Sequence, residues 1–321
     1  MTGRYRVYCI DEGINKYRND PSGTCPTNAL HTVEPDSIAE VDTWTIAGAV
    51  FGDGSDGDVT ITTNVALTRD MYYQNLTVSG ASGLLRPSGY RIFVADTLTI
   101  DNGGTVSVKG NNIATNASGL GGAAPYVAAV LGTGTNGPNA TTTNPGANGG
   151  ALPSGTRLGG TGGRGQNNTG YTPGQGGTGT VPAENVGGLG VFKTLHQAIL
   201  GRDLSGVQMN GGTGGGGGSA PPVIGGGAAG GGAGVMVLAA RNIVSSIGVG
   251  TITAAGGNAT AVSYTNGGGG GGGVIVLITT TSPIPSTITV TVAGGTTVSS
   301  AGIAGSPSLP GQAGTLFLIT L

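Results

Sequence analysis

Glycine runs set the terms for this chain: Gly214 to Gly218, Gly225 to Gly227, Gly230 to Gly232 and the seven-residue Gly267 to Gly273 all fall in residues 204–321, where Arg241 is the one charged side chain. Glycine loses more backbone entropy on folding than any other residue. A long run is therefore ordered only if the missing side chains let backbones pack against one another. Either this half is disordered or it is a backbone-packed solid.

The apolar punctuation argues for order. Gly230 to Gly234 lead into Val235-Met236-Val237-Leu238, Gly267 to Gly273 lead into Val274-Ile275-Val276-Leu277-Ile278, and Leu316-Phe317-Leu318-Ile319 follow Gly311 and Gly314. These cassettes start roughly 40 residues apart, a spacing typical of repeat architectures. A flexible linker does not carry buried-strand cassettes at a fixed offset. Between them, Thr251-Ile252-Thr253 and Ile288-Thr289-Val290-Thr291-Val292 read as strands that end at Gly-Gly corners, as Thr105-Val106-Ser107 does before Gly110. Glycine runs can be ordered as polyproline II-like helices, whose free backbone groups pair with neighbours in a lattice. Seven glycines at about 3.1 Å each span roughly 20 Å. Ordinary glycine-rich turns between strands are the competing reading.

Composition divides the chain into four parts. Residues 1–45 hold eleven charged residues (Arg4, Arg6, Asp11, Glu12, Lys16, Arg18, Asp20, Glu34, Asp36, Glu40, Asp42), Trp44 and both cysteines, Cys9 and Cys25. Residues 46–110 read as short strands at 59–61, 76–78, 90–94, 98–100 and 106–108 with Gly, Asn, Asp or Pro corners. Residues 111–203 are Gly/Asn/Thr-rich loops, either surface excursions or further polyglycine-type packing. They contain one helical stretch near 191–200, where Phe192, Leu195, Ile199 and Leu200 share a face closed by Gly201. Residues 204–321 form the glycine-run and strand repeat. The expected fold is all-β: a short-strand β-sandwich or β-solenoid body, a polyglycine II-type layered domain and one short helix.

Chemistry-bearing motifs are sparse. The net charge is −2 and no Lys/Arg cluster stands out, which argues against nucleic acid. No apolar stretch approaches a membrane span, and Met1-Thr2-Gly3-Arg4-Tyr5-Arg6 does not open a secretory signal, so synthesis is expected in the cytoplasm. That setting favours buried thiols over a disulfide for Cys9 and Cys25. With His31 they could supply three metal ligands, but a C-x-x-C knuckle is missing. Asp53, Asp56 and Asp58 read as turn residues rather than calcium ligands. Gly-x-Gly-x-x-Gly and N-x-S/T matches (Asn75, Asn116, Asn139, Asn167, Asn258) are expected by chance in this composition. His196 reads as a surface or capping side chain. Asp70, Asp96 and Asp101 offer a paired-carboxylate reading that ordinary strand-corner aspartates explain equally. No cofactor or metal is expected.

Tyr90-Arg91-Ile92-Phe93-Val94 with Leu98-Thr99-Ile100, followed by Leu200-Gly201-Arg202-Asp203-Leu204-Ser205-Gly206 leading into Gly211-Gly212 and Gly214 to Gly218, resembles glycine-rich phage tail-fibre and virion-surface proteins. The glycine-run portion is similar to the tip adhesins of T-even-like phages, and the resemblance implies a sandwich of polyglycine II helices with variable recognition loops. It does not extend to the first 45 residues. There, Val7-Tyr8-Cys9 and Cys25-Pro26-Thr27-Asn28-Ala29-Leu30-His31-Thr32-Val33 look like short modules that open structural proteins of large phages and viruses.

The expectation that follows is a non-enzymatic protein of the virion surface and a homo-oligomer. Its N-terminal Arg4, Tyr5, Arg6, Tyr8, Tyr17 and Trp44 are candidates for attachment to other virion proteins. Ser219, Tyr264, Asn266, Ser306 and Gln312, in the loops 219–224, 258–266 and 299–312, are candidates for contact with a host-surface glycan or outer-membrane protein. Cys9, Cys25, Gly214, Gly226, Gly231 and Gly270 are expected to be structural. A capsid, neck or fibre decoration protein without receptor binding and a polysaccharide depolymerase are the alternatives.

Overall fold

The computed structural model describes residues 4–10, 14–18, 39–41, 50–112, 122–126, 129–139, 147–150, 159–166, 172–177, 195–202, 206, 208–218, 227–259, 266–297 and 307–321. The chain divides into two compact units, Met1–Val50 and Phe51–Leu321. In the first, β1 (Arg4–Cys9) is the central strand of an antiparallel sheet between β2 (Ile14–Arg18) and β3 (Ala39–Val41). Tyr5 stands opposite Arg18 and Glu40, Arg6 opposite Tyr17, Tyr8 opposite Asn15, and Cys9 opposite Ile14. Trp44, Cys25 and His31 lie outside the described residues.

Among its described residues the second unit is β-rich, with one short helix of its own at Leu195–Ile199, and its two sheets are parallel. A seven-stranded sheet contains β4 (Asp58–Ile61), β6 (Met71–Tyr73), β7 (Asn75–Ser79), β9 (Ile92–Asp101), β11 (Val235–Val244), β13 (Val274–Thr279) and β15 (Thr315–Thr320). A five-stranded sheet contains β5 (Asn64–Ala66), β8 (Leu84–Arg86), β10 (Thr105–Ser107), β12 (Gly250–Thr253) and β14 (Ile288–Thr291). From β7 onward the chain alternates between the sheets, so each strand pairs in parallel with the one two positions on. Period-two alternation supplies the core between them. Leu76, Val78, Leu98, Ile100, Met236, Leu238, Ile275 and Leu277 come from the larger sheet, and Leu85, Val106, Ile252 and Ile288 from the smaller.

Two features depart from the strand expectations. The expected strands 90–94 and 98–100 are merged into one, β9, which starts at Ile92 rather than Tyr90 and continues past a register shift where Ala95 and Asp96 face Arg241 alone. β6, β5 and β8 were not anticipated, because three residues paired on a neighbour leave almost no periodic signal. In the smaller sheet, strand ends carry a repeated device: the hydroxyls of Ser107, Thr253 and Thr291 accept the amides of Lys109 (3.2 Å), Ala255 (3.2 Å) and Ala293 (3.3 Å), two residues on. This local bond competes with the ladder and turns the chain toward its glycine corner.

The helix α1 (Leu195–Ile199) appears where the apolar spacing placed one. Ala198 is its buried residue and His196 is exposed. Gly201 closes it at φ 64°, donating to the Ala198 carbonyl, while Arg202 donates to that of Gln197. A β-carbon at Gly201 would strike the Leu131 side chain.

Candidate functional site

The glycine segments form the part of the molecule from which the expected recognition loops leave. Amides three residues apart in 266–273 serve the same neighbour. Gly268 and Gly271 donate to Gly216 and Thr213, Gly269 and Gly272 to Leu309 and Gln312, and Gly270 and Gly273 to Gly257 and Ala254. The carbonyls of Gly268 and Gly271 likewise accept from Gly230 and Ala233, and those of Gly269 and Gly272 from Gly163 and Gly160, while Gly270 accepts from Gly295 and Gly273 from Thr315. The run is thus surrounded by segments 211–218, 307–314, 254–259, 227–234, 159–166 and 292–297, every one joined to it through backbone hydrogen bonds. Segments 122–126, 132–139, 147–150 and 172–177 join the same network through bonds such as Gly122 to Ala229 and Gly217 to Ala147. The described parts of 111–203 therefore include lattice members.

The direction of each run places the loops. Segments 227–234, 266–273 and 307–314 lead into β11, β13 and β15, so their first residues lie at the end remote from the sheets. Ala259 and the residue 297 position lie at that same end, because 254–259 and 292–297 leave β12 and β14 outward. Gly218 is there too, its amide 2.8 Å from the Gly227 carbonyl, and so is Gln166, whose amide lies 2.7 Å from the Asn266 carbonyl. The described flanks of the three expected recognition loops, at 218 and 227, 259 and 266, and 297 and 307, thus lie at one end of the lattice with the flanks of 167–171, whereas residues 309–312 of the third expected loop are part of a run packed along 269–272.

The individual residues sort as follows. Asn266 opens its run and is buried, with its amide 3.3 Å from the Gln166 side-chain oxygen. Gln312 lies within a run, its side chain exposed and its backbone amide donating to the Thr161 carbonyl. Asn258, at the base of its loop, donates to the Asn112 side chain and accepts from the Thr296 amide, both at 2.9 Å. Gly214, Gly231 and Gly270 lie inside the lattice, where a β-carbon on each would collide with the carbonyl oxygens of Asn136, Ala123 and Gly231 respectively. Ser219, Tyr264, Ser306 and Gly226 lie outside the described residues.

The carboxylates are engaged in structural bonds. Asp70 holds Arg91 through its side chain and amide, and Arg91 in turn lies over Phe93, which stacks on Tyr72 at 4.9 Å. Asp96 accepts from Asn242 (3.3 Å). Asp101 receives the amide and hydroxyl of Ser246 (2.6 and 2.7 Å) and the amide of Ile247 (3.2 Å). Desolvation opposes ionisation at Asp101, yet these donors outweigh it and its carboxyl lies below the ordinary value. Arg69 lowers Asp56, and the Ser55 amide lowers Asp53. Burial pushes Tyr73 up to about 12. Among the described residues no group of three or more His, Cys, Asp or Glu is placed to hold a metal.

Beside the lattice, on the outer face of the smaller sheet, a cleft of about 200 Å³ is lined by Leu84, Arg86, Ser88, Ser107, Lys109, Gly110, Asn111, Asn112, Pro125 and Tyr126. Thr105 pairs with Leu84 and Val106 with Leu85, so Arg86, Ser107 and Lys109 share the face opposite the buried Leu85, Val106 and Val108. Tyr126 is fixed as a wall: its hydroxyl accepts the Val235 amide at 2.9 Å and lies 2.8 Å from the carbonyls of Gly132 and Val235. The Asn111 side chain donates to the Ala124 carbonyl at 3.2 Å. Sequence reasoning passed over this cleft. Its one legible sign was that residues 102–183 contain Lys109, Arg157 and Arg164 but no Asp or Glu. Comparison with protein-family models, with curated proteins and with solved structures finds no match to this chain.

Proposed function

We propose that this is a non-enzymatic virion-surface protein of the tail-fibre adhesin type, in which a rigid glycine scaffold displays loops for host-surface binding. The observation that supports the reading is that the described residues flanking 219–224, 260–265 and 298–306 lie together at one end of the lattice, remote from the strands. The alternating parallel strands suit a β-solenoid, and the three-residue hydrogen-bond repeat suits polyglycine II packing. A body of this kind presents variable loops without depending on their sequence for stability. In this reading residues 1–45, with Arg4, Tyr5, Arg6, Tyr8, Tyr17 and Trp44, join the protein to other virion components, and the loops meet a glycan or an outer-membrane protein.

Loop replacement tests the proposal. Exchanging all three loops in the full chain is expected to change adsorption of particles to host cells while the unfolding temperature stays constant. Unchanged adsorption identifies a decoration protein instead, and release of reducing sugar from host polysaccharide identifies a depolymerase. Deleting residues 1–45 is expected to prevent incorporation into particles.

A further inference from the structure

We infer that the cleft between the smaller sheet and the lattice binds an acidic saccharide, with Arg86 and Lys109 receiving its carboxylate or sulfate group. This inference is independent of the loops at the lattice end. Three observations carry it.

The first is uncompensated charge. Arg86 and Lys109 project from the same sheet face into one concavity, and the lining contains no carboxylate. The segment from Asp101 to Glu184 contains no acid between its ends, and Asp70, just beyond the β5 strand that pairs with Arg86, is already bonded to Arg91. The nearest acids in sequence, Asp96 and Asp101, belong to β9 in the other sheet and are bonded to Asn242 and to Ser246 and Ile247. A pair of cations with no carboxylate partner among the described residues attracts an anion into the cleft, and charge-assisted bonds to it are stronger than neutral ones.

The second is the neutral part of the lining. Asn111 and Asn112 offer amides, Ser88 and Ser107 offer hydroxyls, and Pro125 with the Tyr126 ring forms an apolar wall. A bare inorganic anion needs only the cations. Hydroxyl-matching groups beside a flat apolar wall fit a ring that carries both hydroxyls and C–H faces, which is the chemistry of a sugar. The third is preorganisation. Asn111 and Tyr126 are both bonded to the lattice backbone, and β-carbons at Gly89 and Gly234 would run into the Tyr126 ring. A wall held this way loses little freedom when a ligand binds.

Isothermal titration of the full chain with hexagalacturonate, a heparin-derived hexasaccharide, maltohexaose and inorganic phosphate tests the assignment. Either acidic hexasaccharide is expected to bind with affinity that falls as salt rises, while maltohexaose gives no signal. Arg86→Gln and Lys109→Gln should each weaken binding about tenfold, Lys109→Arg should retain it, and Arg202→Gln, a cation elsewhere on the surface, should leave it unchanged. Unfolding temperatures of the variants identify any that lose the fold, and Lys109→Arg covers that case. The inference is overturned if neither acidic hexasaccharide binds, if Arg202→Gln weakens binding as much as Arg86→Gln, or if phosphate binds as tightly as the saccharides.

Discussion

Gly270 approaches Gly231 so closely that a β-carbon built on Gly270 would collide with the Gly231 carbonyl. The same construction at Gly217 meets its nearest atom, the Ala147 carbonyl oxygen, at 3.3 Å. Two glycines in one lattice therefore differ in their tolerance of a single methyl group. Gly270→Ala is expected to destabilise the protein by about 3 kcal/mol or more, and Gly217→Ala by about 1 kcal/mol or less. Denaturant unfolding of the two variants measures the difference, and equal midpoints would contradict close backbone packing around Gly270.

Tyr126→Phe removes the acceptor of the Val235 amide, which then keeps only its 3.3 Å contact to the Gly132 carbonyl. The expected loss is about 1–2 kcal/mol. Burial raises the Tyr126 hydroxyl above its usual 10, so its contribution is fully present below pH 10 and is lost as pH rises through the higher folded value. Tyr73 acts in the same sense, with a folded value of about 12. Unfolding temperatures measured in alkali should fall above pH 10, and less steeply in Tyr126→Phe.

Asp101→Asn leaves an amide donor facing the donors of Ser246 and Ile247, at a cost of about 1–3 kcal/mol near neutral pH. The folded value of Asp101 lies below the ordinary 3.8, so the ionised group stabilises fully above that pH and the effect disappears as pH falls through the folded value. The gap between wild type and variant in an acid unfolding series should therefore close below about pH 4. A gap that stays constant to pH 2 would show that Asp101 does not titrate against the fold.

Limited digestion with a broad-specificity protease is expected to leave segments 211–218, 227–234 and 266–273 uncut. Their backbone amides are committed to neighbours on several sides, and cleavage requires local opening of the chain. Mass mapping of early fragments checks this. Early cuts inside Gly267 to Gly273 would remove the lattice from the account of stability.

Much of the β framework is written locally. The cassettes at Val235, Val274 and Leu316 each begin a strand, at Val235, Val274 and Thr315, and the Gly-Gly corners at Gly256 and Gly294 follow strands. Apolar runs after glycine and alternation before it are short-range signals, and α1 with its Gly201 cap is another. The three-residue strands β5, β6 and β8 are different, since Asn64-Val65-Ala66 becomes a strand only because Leu84-Leu85-Arg86 lies beside it. Arg86 and Lys109 likewise meet through the β8–β10 register, across twenty-two intervening residues.

By itself the sequence determined that residues 204–321 need backbone packing in place of side chains, because a charge-poor chain of glycine runs and apolar cassettes has no other way to bury itself. Only the tertiary structure decided which backbones meet. A glycine amide carries no label for its partner, so the donation of Gly268 to Gly216, Gly269 to Leu309 and Gly270 to Gly257 follows from a three-residue repeat meeting neighbours whose positions the two sheets set. The same placement brings the described flanks of distant loops to one end and two cations to one cleft, because hydrogen bonding between identical backbones is indifferent to separation along the chain.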